Sequence, residues 1–239
     1  MKFIIAFVMT IFFPTLVLGD VIVQKNDPSV VVIRIQGRIT KSDLSALKEK
    51  ASIKGNISFT LDSQGGDLDT ALKMGMFIRS KKSLYVMVPE NAVCFSSCVF
   101  LLAAGPYRTV IGQVGIHRPF FTQDDKTTES EQKTQYKHIE SVVKNYFKTV
   151  NIPTELFDEM IRIPPSDIKI LNNAELKHFG LSEDDPFIKE ADATQYARRF
   201  GITKTQYYAR EAQMKQCEGL NIDETNQCIQ KVLGEPLQK

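Results

Sequence analysis

Three short stretches of this chain carry residue types suited to acyl transfer. The first is Gly65-Gly66, which lies between an apolar run and a helical pattern. Paired glycines let main-chain N–H groups face an anion with no Cβ in the way, and a helix N-terminus just beyond adds a favourable field. A phosphate loop needs further glycines and a closing Lys-Ser/Thr, both missing here, so the pair suits an oxyanion hole. An ordinary tight turn uses the same residues. The second stretch is Cys94-Phe95-Ser96-Ser97-Cys98, ahead of the small and apolar run 99–105. A serine at the head of a buried helix has its hydroxyl at the positive end of the dipole, where its plainest role is an N-cap. Two serines stand together here and one can cap. Ser96 is then the candidate nucleophile, and Ser97 offers its main-chain N–H as a second oxyanion donor beside Gly66.

A serine hydroxyl needs a base to take its proton. The chain has three histidines. His138 falls in the middle of a polar helical stretch and His178 among polar neighbours, and both read as solvated. His117 follows Val114-Gly115-Ile116 and precedes Arg118-Pro119, so it ends what reads as a strand. It is the candidate base, with a structural histidine as the plainer alternative.

The surrounding pattern positions these groups. Residues 30–35 are a run β-branched at every position but Arg34, the look of a strand buried on both faces. A helix is predicted over 41–51 with Thr40 or Ser42 as cap, a strand over 57–61, a helix over 67–79 and a strand over 84–88. Strands and helices alternating over short connections predict a parallel α/β sheet with right-handed crossovers. Reactive groups gather at the carboxyl ends of such strands, which brings the glycine turn and the serine turn together. Residues 122–129 read as a loop or lid, 131–149 as a long amphipathic helix, Pro164-Pro165 as a break, and 174–179 as a helix stopped at Gly180. From about residue 192 the pattern is helical, with a turn at 219–221.

The first residues read as an export signal: Lys2, an apolar run over 3–18 and a small residue at Gly19, before polarity begins at Asp20. A retained membrane anchor is the alternative, because the run approaches the ~20 residues that span a bilayer. The expected organisation is therefore a signal peptide over 1–19, an α/β domain over 20–190 and a helical appendage over 191–239. The formal net charge of +2 gives no electrostatic case for nucleic acid. Four cysteines, Cys94, Cys98, Cys217 and Cys228, suit two disulfides in an exported chain. The local pairing, Cys94 with Cys98 and Cys217 with Cys228, needs the least chain closure. A zinc site fits poorly, since Cys-x-x-Cys spacing and a nearby histidine are both lacking, so no metal and no cofactor is expected.

The series Leu61-Asp62-Ser63-Gln64-Gly65-Gly66, then Ser96 with the run from Phe100 to Gly105, then Gly115-Ile116-His117-Arg118-Pro119, resembles the Clp protease proteolytic subunit in order and character. The resemblance spans about residues 30–181, including Leu171, Glu175, Leu176, Gly180 and Leu181 at matching spacing. It implies a ClpP/crotonase-like sheet with flanking helices and a Ser-His-Asp peptidase, with Ser96 as nucleophile, His117 as base and the N–H groups of Gly66 and Ser97 as oxyanion donors. The third member is placed by the resemblance at Asp167, the nearest carboxylate, although a gapless match falls on Ile168. Cysteines stand two before and two after Ser96 where the cytoplasmic protease has small residues, and a disulfide there would straddle the nucleophile. Export separates the chain from ATP, so no unfoldase partner is expected, and the substrates implied are peptides or unfolded protein segments. Relatives of this family form rings, which implies a homo-oligomer. Three rivals stand beside this reading: a Ser-Lys peptidase using Lys148, a non-catalytic peptide-binding or assembly module, and a crotonase-type acyl-CoA enzyme, which would need a cytoplasmic cofactor.

Overall fold

The computed structural model describes residues 19–27, 30–53, 55–81, 83–120, 128–217 and 222–234. The expected signal segment before Gly19, the expected lid up to residue 127 and the tail turn at 219–221 lie outside the described residues. Strand β1 (Asp20–Asp27) pairs antiparallel with β2 (Val30–Ile39). Then follow α1 (Asp43–Lys50), β3 (Asn56–Gly66), α2 (Leu68–Ser80), β4 (Ser83–Val88), β5 (Val93–Phe95), α3 (Cys98–Ala104), β6 (Arg108–Val110) and β7 (Gln113–Ile116). The chain continues through α4 (Glu129–Thr149), α5 (Glu155–Arg162), β8 (Lys169–Ile170), α6 (Asn173–His178), α7 (Pro186–Phe200), α8 (Lys204–Met214) and α9 (Ile222–Leu233).

The sheet has eight strands in the order β1-β2-β3-β5-β7-β8, with β4 branching from β3 and β6 pairing with β4. All pairings between β2 and β7 are parallel, while β1 and β8 add antiparallel edges. This mixed α/β arrangement is compatible with the ClpP/crotonase-like sheet expected from sequence. The branch occurs along β3 itself: Ile57 to Thr60 pair with β4, and Ser63 pairs with Cys94 of β5. The far end of β3 is thereby freed to run against the serine turn.

Two expectations need correction. Strand β2 alternates buried and half-buried residues over most of its length instead of being buried on both faces, because the face carrying Val30, Val32 and Arg34 is only half covered. Strand β3 continues through the glycine pair, where the sequence suggested a turn after residue 61. The helix over 99–105 forms as expected. Every residue of α3 is buried, and it packs against α2 and β3. Full burial of a side chain such as Phe100, Leu101 or Leu102 contributes about 1.5–3 kcal/mol. Tyr146 of α4 donates its hydroxyl to the Phe100 carbonyl at 2.7 Å, and Phe147 stacks on the Phe100 ring at 5.4 Å. The long polar helix is thus fastened to the helix that follows the serines.

Beyond Gly180, whose φ of +69° is the left-handed conformation that ends α6, the chain reaches a buried carboxylate. Asp185 caps α7 by accepting from the N–H groups of Phe187 and Ile188, and Pro186 occupies the first helical position. The helix therefore starts before residue 192, and the expected boundary at 190 falls inside it. Asp185 also accepts from Arg79 at 2.7 Å and Asn151 at 2.9 Å. Burial pushes its carboxyl up, but the bonds from Asn151 and Arg79 outweigh it and hold the group below the usual value. Arg108 beside it, bonded to the carbonyls of Glu183 and Ala103, is lowered to about 10 by burial. Helices α7, α8 and α9 gather a second buried cluster of Ala193, Ala197, Tyr207 and Leu233, and the Cys217–Cys228 disulfide, with Cα atoms 5.7 Å apart, closes it.

Asp185→Ala leaves the Arg79 guanidinium without its carboxylate and is expected to cost about 3–5 kcal/mol in urea denaturation. Because the native carboxyl is depressed, its contribution is complete above the ordinary range near pH ~4 and is lost as pH falls through the native value. The variant should lose that part of the acid dependence; a cost under ~1 kcal/mol would contradict the assignment.

Candidate active site

The serine turn is a strand-to-helix elbow. Strand β5 ends at Phe95, Ser96 takes φ +54°, and α3 begins at Cys98. A left-handed serine is rare, and holding one costs on the order of 1–3 kcal/mol, so its surroundings must over-determine it. They do so from three sides. Ser96 donates its N–H to the Gly115 carbonyl at 2.9 Å, which ties it to β7. The Cys94–Cys98 disulfide, with Cα atoms 5.2 Å apart, closes a ring around residues 95–97. Gly65 presses on the third side: a Cβ there would lie 2.7 Å from both the Phe95 carbonyl oxygen and the Ser96 Cβ. Its φ of +88° also requires glycine.

The glycine pair is held from behind by β2, in register Arg38 with Gly65 and Ile39 with Gly66. Asp62, four residues before Gly66, accepts from Arg34 at 2.6 Å and from the Val93 N–H at 3.2 Å, binding β3 to the start of β5. The Gly66 N–H points at the elbow, where it donates to the Ser97 hydroxyl at 2.7 Å. Ser97 makes no side-chain cap bond to α3. The cap is therefore not its role here.

His117 follows β7, is half-buried, and directs Nδ1 to the Arg118 carbonyl at 2.9 Å. A carbonyl only accepts, so Nδ1 carries the proton and Nε2 is left with a free lone pair, the form a general base requires. Arg118 is itself anchored by its N–H to the Ile163 carbonyl at 2.9 Å.

Ser96, Ser97, Gly66 and His117 line one cavity of about 1410 Å³. The four were expected to meet from their order in sequence, and they border the same space. Among the described residues no hydrogen bond joins Ser96 to His117. Asp167 is exposed; its N–H donates to Pro164 in the turn after the proline pair, and its carboxylate accepts from the Ser166 hydroxyl at 3.2 Å. No described hydrogen bond links it to His117, and the neighbouring Arg118 carbonyl takes the place a carboxylate would occupy. Lys148 is exposed near the end of α4 and does not line the cavity.

Helix α4 forms the opposite wall with Gln135, His138, Ile139 and Val142. The sequence reading left His138 to solvent. It is exposed, yet its spacing of three and four from Gln135 and Val142 places it on the cavity face, a signal available from helical phase alone. Asp67, at the cavity edge, caps α2: the bond from the Thr70 hydroxyl holds its carboxyl below the usual range, which removes it as a proton donor.

No family model matches the chain, and no curated protein matches it. Among solved structures it is similar to a mutant of 1510-N, a membrane-bound stomatin-specific protease, at 18% identity over 64% of this chain and 75% of that one, with a TM-score of 0.46. A likeness of that size carries no weight for the site, which rests on its own geometry.

Gly65→Ala combines a forbidden φ with a backbone clash and is expected to destabilise the protein by more than ~2 kcal/mol in urea denaturation. A change below ~0.5 kcal/mol would show that the glycine turn does not brace the elbow.

Proposed function

We propose that the chain is an exported, ATP-independent serine hydrolase that cleaves peptides or unfolded protein segments through an acyl-enzyme. The observation that carries this reading is Ser96 held left-handed at an elbow, in one cavity with an Nε2-free His117 and the Gly66 and Ser97 amides. Strain at a serine that shares a cavity with a histidine and paired N–H donors has a catalytic use and no evident packing one.

In the proposed cycle Ser96 Oγ attacks the scissile carbonyl while His117 Nε2 takes its proton. The carbonyl oxygen, now negative, is received by the N–H groups of Gly66 and Ser97. The imidazolium returns the proton to the leaving amine, and water, activated by the same nitrogen, releases the acyl group. The Arg118 carbonyl fixes the tautomer throughout, which makes the unit a dyad with a main-chain orienting group in place of Asp167. Two disulfides are consistent with an extracellular or periplasmic setting. Among the described residues no helix is long and apolar enough to cross a membrane.

A peptide-binding module is the second reading, favoured by one observation: the Gly66 N–H is already taken by Ser97 in the resting protein. Exposure of the oxidised protein to a fluorophosphonate probe, followed by intact mass, separates the two. One adduct is expected, lost in Ser96→Ala and slowed at least ~10³-fold in His117→Ala. Asp167→Ala should label within about tenfold of wild type, where a true triad aspartate would cost ~10⁴. Lys148→Ala should label normally. No adduct after prolonged exposure, or equal labelling in Ser96→Ala, would contradict the hydrolase reading.

A further inference from the structure

The Gly66 N–H and the Ser97 hydroxyl are 31 residues apart in sequence and 2.7 Å apart in space. On the hydrolase reading, on which this inference rests, that same N–H is one of the two donors an acyl oxygen must reach. The resting site is therefore already filled, by an oxygen belonging to the residue next to the nucleophile. The hydroxyl oxygen sits where the reacting oxygen has to go, at the distance of a good hydrogen bond.

We propose that Ser97 is a built-in gate of the oxyanion site, whose hydroxyl mimics the substrate oxygen at rest and must turn away before acyl transfer. Three features make it a gate and not a fixed strut. Ser97 is buried, 4% exposed, so water does not compete freely for the Gly66 N–H and the contact persists. The main chain around it cannot shift: the Cys94–Cys98 disulfide encloses it, and its carbonyl accepts from the Phe100 N–H at 3.2 Å. Movement is thus confined to one side-chain torsion. A destination also exists, since Ser97 makes no side-chain cap bond to α3 and lines the cavity, so a turned hydroxyl has that space to enter. The hydroxyl gives up the Gly66 N–H when a carbonyl arrives. Its main-chain N–H, the second oxyanion donor, stays in place throughout.

Such a gate discriminates by acceptor strength. A ligand with a polarised carbonyl or phosphoryl oxygen displaces the hydroxyl, and a hydrocarbon group does not. It also leaves the strained serine without a complete oxyanion site until a suitable acceptor is bound.

Ser97→Ala removes the gate and keeps the main-chain N–H. The second-order rate of fluorophosphonate labelling should rise about two- to tenfold over wild type, the weight of one net hydrogen bond. Amide hydrogen exchange, followed by NMR, supplies a readout independent of reactivity. The Gly66 N–H should be protected in the resting wild type and lose that protection in Ser97→Ala, while the Ser96 N–H, bonded to Gly115, keeps its own. A folded Ser97→Ala that labels at or below the wild-type rate overturns the gate and leaves the hydrolase intact. A Gly66 amide that exchanges freely in the resting wild type also overturns it. Labelling of neither protein overturns the hydrolase reading, and the gate with it.

Discussion

The left-handed turn at Ser96 is the constraint to which the neighbouring elements answer. A serine does not adopt φ +54° from its own preference, and three neighbours keep it there. Removing the Cβ at position 65 admits β3 to van der Waals range of the elbow. The disulfide between residues 94 and 98 shortens the chain across it. The Gly115 carbonyl fixes its N–H to β7. Two of the three contacts come from other strands, so the elbow is complete only once the sheet has closed. Local sequence alone could not hold it.

The sheet explains how those segments arrive. Strand β3 pairs with β4 early and with β5 late, and this change of partner turns its glycine end toward the serines. Strand β7 then lies beside β5 and delivers His117 one residue past its end. Helix α3, buried along its whole length, sets the direction in which the chain leaves the elbow. Helix α4 is fastened to it through Tyr146 and the Phe100 carbonyl and carries a polar and apolar wall to the far side of the cavity. The two adjacent serines are therefore placed differently: both line the cavity, but the Ser97 hydroxyl is held by the glycine turn.

Much of this was legible in the residues. The alternation of strand and helix, the buried run after Cys98, the local pairing of the cysteines and the meeting of the glycine and serine turns follow from pattern and spacing, while the place of His117 beside them is what the family resemblance implies. What was hidden has physical reasons. The Gly66–Ser97 bond joins residues far apart in sequence and depends on a torsion that composition does not set. The Nδ1 partner of His117 is a main-chain carbonyl, which leaves no side-chain signature in the sequence. Strand β1 carries little signal of its own, because the polar Asp20, Gln24 and Lys25 dilute its alternation, and it is defined by pairing with β2. Asp185 looked like one of several acidic residues before Pro186, and only the fold brings Arg79 and Asn151 to it.

The most direct measurement of the central claim is a crystal structure of the phosphonylated protein. The phosphorus should be bonded to Ser96 Oγ, with its oxygen within hydrogen-bond distance of the Gly66 and Ser97 N–H groups and the Ser97 hydroxyl turned away from Gly66. Phosphorus on a different residue, or an oxygen facing solvent while the Gly66–Ser97 bond persists, would contradict the account.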